Sequence, residues 1–203
     1  LLGSIKLLQA TPIFMGLAGA VFFHRLGHDV NPAIAVIYAQ YRFDWNEQSV
    51  GFMLGGVGVS AMIVQALLVG PAVKKLGERG ALTVGLSCGA LALTIHGLAP
   101  VGWMYLLGIP FGALYGLSGP AMQGMITRHA GASDQGKVQG AFSSVAAIAT
   151  MIAPILFTQT FALGISVTDW PYAAGLPYII AAVAILVALA LALRGTRTEK
   201  AAT

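Results

Sequence analysis

Four ionisable side chains fall close together in one otherwise apolar segment, His24-Arg25-Leu26-Gly27-His28-Asp29. Helical spacing puts His24 and His28 on one face and Arg25 and Asp29 on a neighbouring one. Arg25 and Asp29 stand at i and i+4, so they can form an ion pair within the helix. A carboxylate beside a titratable imidazole can change its charge near neutral pH, which suits proton exchange or the handling of a cationic solute. Two plainer roles compete: Arg25 and Asp29 neutralise each other so that the segment inserts in a membrane, and His28 hydrogen-bonds a neighbouring helix. Two His at i and i+4 with one carboxylate also begin a metal site. No further ligand set stands elsewhere in the chain, so neither a metal nor another cofactor is expected. His24, His28 and Asp29 could serve as acid and base groups, but the chain offers no nucleophile with an oriented base, and the reading is of a protein that is not an enzyme.

The elements that must carry these residues are apolar and long. Ser49 to Val73, Ala81 to Trp103, Met104 to Thr127, Val138 to Thr168 and Leu176 to Leu193 contain no Asp, Glu, Lys or Arg. A helix crosses the hydrocarbon core with about 20 apolar residues. Adding the segment of the charged cluster, roughly Ile13 to Gln40, predicts six spans, with a break at Pro100-Val101-Gly102 and a loop from Gly164 to Ala174. The chain is 57% hydrophobic and 9% charged, with a mean hydropathy of +0.81, outside the range of soluble domains. No segment alternates with period two as a barrel strand would. The fold class is therefore all-α, a six-helix membrane bundle lying in the lipid bilayer.

Basic residues set the orientation. Lys6, Lys74, Lys75, Arg79, Arg128, Lys137, Arg194, Arg197 and Lys200 share one side, and Arg42 alone lies on the other. Basic loops stay in the cytoplasm, so both termini are expected there, in the inner or plasma membrane of the cell. The formal net charge of +4 is spent on topology and calls for no nucleic-acid partner. No cleavable signal peptide is visible, and a first residue Leu1 instead of Met suggests a piece of something longer. The single Cys88 falls in mid-span and excludes a disulfide framework.

Small residues recur at helix-contact spacing: Gly51 and Gly55, Gly85 and Gly89, and Gly108, Gly112 and Gly116. Such rows let helix backbones approach closely inside a bundle. Pro32, Pro110, Pro120 and Pro154 each remove one intrahelical hydrogen bond and predict kinks. Bent helices at membrane depth line cavities. Among the uncharged polar groups in the spans, which include Gln65, Gln123 stands three residues after Pro120 and is the candidate cavity-lining hydrogen-bond group. His96, close to a span end, is expected at the membrane interface.

Several motifs together resemble one family. Gly70-Pro71-Ala72-Val73-Lys74-Lys75-Leu76-Gly77-Glu78-Arg79 is similar to the basic loop after the second helix of each half in the major facilitator superfamily. Pro120-Ala121-Met122-Gln123-Gly124, Arg128, Gln135-Gly136-Lys137-Val138-Gln139-Gly140 and Ala153-Pro154-Ile155-Leu156-Phe157-Thr158 resemble the fourth and fifth helices of the C-terminal half of tetracycline-efflux proteins. Arg42-Phe43-Asp44-Trp45, Gly102-Trp103-Met104 and His28-Asp29-Val30-Asn31-Pro32 fit the same branch. The resemblance implies a twelve-helix exporter in which a hydrophobic drug moves outward as protons move inward. This chain would supply helices seven to twelve, with residues 1–12 ending a central cytoplasmic loop, 13–194 forming the membrane domain and 195–203 a cytoplasmic tail. Its partners would be a small-molecule substrate, protons and a missing N-terminal six-helix half. Arg25, His28, Asp29 and Gln123 are the expected substrate and proton pathway. Lys74, Lys75, Glu78 and Arg79 are the expected cytoplasmic gating loop, because a short charged loop can exchange ion pairs between states. One departure is specific: members that export tetracycline carry an Asp in the third helix of this half, where Gly89 aligns. A facilitator or uptake transporter of the same fold, and a non-transporting remnant, are the alternatives.

Overall fold

The computed structural model of the chain describes residues 12–130, 134–166, 170 and 172–200. Lys6 and nearly all of the segment expected to end a central loop lie outside the described residues. Helices α1 (Pro12–His28) and α2 (Val30–Phe43) form the first span. The second is α3 (Glu47–Ile63), a π-helical turn (Val64–Leu68) and the start of α4 (Val69–Leu98), whose remainder is the third span. Helices α5 (Gly102–Tyr115) and α6 (Ser118–His129) form the fourth span, α7 (Gln135–Ser166) the fifth and α8 (Leu176–Lys200) the sixth. Among the described residues there is no strand.

Chemistry of single residues explains the joints. The continuous helical stretch Glu47–Leu98 is 52 residues long. At 1.5 Å per residue it would reach about 78 Å, more than twice the hydrocarbon thickness. Gly77 divides it, with φ 70° and ψ 169°, a backbone conformation closed to residues that carry a Cβ. The π-helical turn answers Pro71, which has no N–H for the carbonyl of Leu67; one wider turn, closed by Val69 N–H to Val64 O, absorbs the mismatch. Gln135–Ser166 and Ala173–Arg194 are each long and apolar enough to cross alone. The first and fourth spans reach that length only as pairs of helices, α1 with α2 and α5 with α6.

Span one packs on spans six and five, and span three on spans four and six. The core they share holds Leu17, Ile34, Tyr38, Leu86, Phe157 and Ile185, all fully buried. Outward-facing apolar side chains such as Phe52, Met62, Leu67, Met151 and Ile155 suit a hydrocarbon environment. The glycine rows split into two kinds. A Cβ at Gly85 would strike the backbone N of Ser118, and one at Gly89 would strike the Tyr115 ring, so span four presses closely on span three there. Gly51 and Gly55 meet nothing within 4 Å. Span two touches the rest of the chain chiefly through span four, so the expected close packing of its glycine row inside this bundle is corrected.

Candidate functional site

Pro32 creates the first half of the site. It offers no N–H to the carbonyl of His28, four residues back, and the helix breaks at Asp29, whose φ and ψ are −79° and 2°. Flanking bonds hold the two pieces together, Asp29 N to Arg25 O at 3.1 Å and Ala33 N to Asp29 O at 3.3 Å. The break turns Asp29 inward. Its side chain is only 8% exposed, while those of Arg25 and His28 are 43% and 47% exposed. Arg25 Nε donates to Asp29 Oδ2 at 3.1 Å, and His28 Nδ1 lies 3.0 Å from Asp29 Oδ1. A buried carboxylate is thus bridged by two cationic or titratable groups that face outward.

Pro120 does the same to span four. It leaves the carbonyl of Gly116 without a donor, and the chain between α5 and α6 tightens into i to i−3 bonds, Gly116 N to Ala113 O at 2.9 Å and Leu117 N to Leu114 O at 3.0 Å. The two breaks are stitched together. Tyr115 donates its hydroxyl to the backbone carbonyl of His24 at 2.9 Å, and its ring lies 5.0 Å from that of His24 and 5.9 Å from that of His28. Ser118 donates to Tyr115 O at 2.6 Å and sits 2.8 Å from His24 Nε2. With its single hydrogen committed to Tyr115, the Ser118 hydroxyl accepts from His24, which fixes the proton of His24 on Nε2. Span five joins through Thr150, whose Oγ1 accepts from Arg25 Nε at 2.9 Å. Thr150 stands four residues before Pro154, as His28 does before Pro32 and Gly116 before Pro120.

Of the expected pathway residues, the structure brings together Arg25, His28 and Asp29. Gln123 lies apart: it is five residues beyond Ser118, about 7.5 Å farther along the helix. Its amide donates to Gln139 Oε1 at 2.6 Å in a polar cleft of about 310 Å³ that Thr127 and Gln135 also line. A larger, apolar groove of about 530 Å³ runs between spans two and four, lined by Trp45, Phe52, Met53, Leu106 and Ile109 with the hydroxyls of Ser49 and Ser60. In the basic loop, Glu78 pairs with Arg128 of span four at 2.9 Å, and Arg79 Nη2 donates to Leu193 O of span six at 3.4 Å. Lys74 and Lys75 are exposed. Sequence reasoning missed Tyr115, Ser118 and Thr150; of these only Thr150 carries a signal, since the residue four before a helical proline marks where a backbone bond is lost. His96, expected at the membrane interface, stands near the end of span three with its side chain buried inside the bundle. Among the described residues no group of three or more His, Cys, Asp or Glu could hold a metal ion.

A family model described as Major Facilitator Superfamily matches residues 14–203. The chain belongs to the Major Facilitator Superfamily. Within the superfamily it is similar to tetracycline resistance proteins. The class C protein of Escherichia coli is 28% identical over 200 residues, which are 98% of this chain and 49% of that protein. The class G protein of Vibrio anguillarum is 32% identical over 148 residues, 72% of this chain and 38% of that protein. The hippocampus abundant transcript 1 protein of Homo sapiens is 22% identical over 125 residues, 62% of this chain and 26% of that protein. No solved structure matches. The chain spans about half the length of the tetracycline resistance relatives it matches, 49% for the class C protein. As a superfamily member with apolar helices of crossing length, it is membrane-embedded.

Proposed function

We propose that this chain is the C-terminal half of a proton-coupled antiporter that exports a hydrophobic drug, with the cluster at Asp29 as its proton-handling element. One observation carries the reading: a buried carboxylate in mid-membrane is bridged by Arg25 and His28, both about half-exposed, where span one is broken. Ionisable groups at that depth are costly and mark ion or substrate pathways. The similarity to tetracycline resistance proteins, carried over as a proposal, supplies the direction of flux and the class of solute. Gly89, against whose backbone the Tyr115 ring packs, favours a substrate other than tetracycline itself.

The remaining assignments follow from charge and placement. The nine-to-one basic asymmetry supports cytoplasmic termini in an inner or plasma membrane. Six helices leave one wall of a transport pathway missing, and the six helices of an N-terminal half would supply it. Glu78 and Arg79, tied to spans four and six, are suited to hold the cytoplasmic side in one state. Lys74 and Lys75 extend that charged loop, and Gln123 lines the polar cleft near it. The test uses the full-length protein in everted membrane vesicles. Drug uptake that appears when the vesicle lumen is made acid, together with drug-induced proton efflux, is expected. Uptake indifferent to the gradient supports a facilitator, and no uptake supports a remnant.

A further inference from the structure

Among the described residues, only His96 has buried side-chain polar atoms without a hydrogen-bond partner, and it has two: Nδ1 and Nε2. The residue is 6% exposed, near the end of span three. Its ring stacks on Tyr105 of span four, with centroids 4.2 Å apart and planes 23° apart, and meets the edge of Tyr178 of span six at 5.5 Å. Gly108 of span four makes room for it, since a Cβ there would strike His96 Nε2. Tyr38 of span one donates its hydroxyl to the His96 carbonyl at 2.9 Å, and the hydroxyls of Tyr105 and Tyr178 lie 3.1 Å apart, bonded to each other. Three other spans therefore close over an imidazole that none of them satisfies.

Buried polar groups are nearly always paired, so each exception asks for a reason. The groups packed about His96 are the tyrosines of spans one, four and six; Arg42, at the end of span one, turns to Ala99 O at 3.4 Å and to the Tyr172 ring. Phe161 of span five packs on Tyr38 and brings no charge. Not one of these is a carboxylate. A proton on His96 would create a buried cation among ring faces that offer it no carboxylate. Protonation and closure of this cluster thus exclude each other.

We propose that His96 is a second proton-binding site, at the end of the bundle opposite the basic loops, which takes up a proton only when the aromatic cluster parts. A bound proton then holds that end open, and its loss lets the rings close again. The purpose rests on the transporter reading, but the test does not. Trp45 reports on the cluster, its ring 5.3 Å from Phe43 and 6.1 Å from Tyr105. In full-length protein whose other tryptophans are replaced by Phe, acrylamide quenching of Trp45 is followed from about pH 8 to pH 5, the range in which histidine titrates. Trp45 already borders the open groove, so some quenching is present throughout; it is expected to rise on acidification in the parent and to stay flat in His96→Phe. His96→Gln, polar but not titratable in this range, gives the same reading should the Phe variant fail to fold. An equal rise in these variants, or no rise in the parent, overturns the proposal; the second result leaves His96 a core residue bridged by ordered water. Loss of drug transport with an intact Trp45 titration would count against the exporter reading alone.

Discussion

Among the described residues the bundle buries one carboxylate, Asp29, and one imidazole, His96, and treats them in opposite ways. Asp29 sits where Pro32 breaks a helix, holds two donors, and connects through Arg25 to Thr150 and through the His24 face to Tyr115 and Ser118. His96 sits in an unbroken part of α4, held by ring faces and by a bond to its backbone, never to its imidazole. The difference is one of access. Asp29 is bonded to side chains that are half-exposed, whereas the His96 ring is enclosed by tyrosines of spans four and six.

Deleting each group should therefore have opposite signs. Asp29→Ala leaves Arg25 and His28 without their acceptor; breaking a buried pair costs several kcal/mol, and half-exposed partners reduce this to about 2 kcal/mol. His96→Phe removes an unpartnered polar ring and should stabilise the fold by about 1 kcal/mol. Thermal unfolding of the full-length protein in detergent reads both. Destabilisation by both variants to a similar degree would erase the contrast.

Gly89→Asp sharpens the comparison by adding a second carboxylate to the first region. Its side chain must displace the Tyr115 ring, so a loss of about 2 kcal/mol is expected, with recovery in the double variant with Tyr115→Ala. No recovery in membrane yield or melting temperature would mean that the Tyr115 contact is not what excludes an acid there. Ser118→Ala removes one hydrogen bond to His24 and should cost about 1 kcal/mol. The smallest effect on stability belongs to the cytoplasmic pair. Arg128 is exposed, so Glu78→Gln should change stability by less than about 0.5 kcal/mol while slowing transport. Transport recovered by the exchange Glu78→Arg with Arg128→Glu would tie that loss to the ion pair itself.

The spans and the class of fold were legible because uncharged stretches of membrane length have few alternatives, and the family because Gly70 to Arg79 and Pro120 to Gly124 keep their residue order. Arg25 and Asp29 were legible as a pair because i and i+4 neighbours on a helix need no tertiary knowledge. Tyr115, Ser118 and Thr150 were not, because each becomes polar lining only when another span's break faces it. The distance of Gln123 from Pro120 does not reveal its partner, because Gln139 reaches it from another span. Span-end position could not show that His96 is enclosed, since tyrosines from three other spans wrap that end. Glycine rows misled in span two, where spacing alone cannot say whether a partner helix is present.

The central claim is that Asp29, tuned by Arg25 and His28, couples proton movement to solute movement. The most direct test reconstitutes the full-length protein and its Asp29→Asn variant in liposomes and records drug-evoked proton flux with an internal pH dye, beside energy-independent drug counterflow. The account predicts that the parent shows both, that Asp29→Asn keeps counterflow but loses proton flux, and that His28→Ala flattens the pH profile between about pH 5 and 8. Proton flux and pH profile unchanged in both variants, at equal membrane expression, would contradict it.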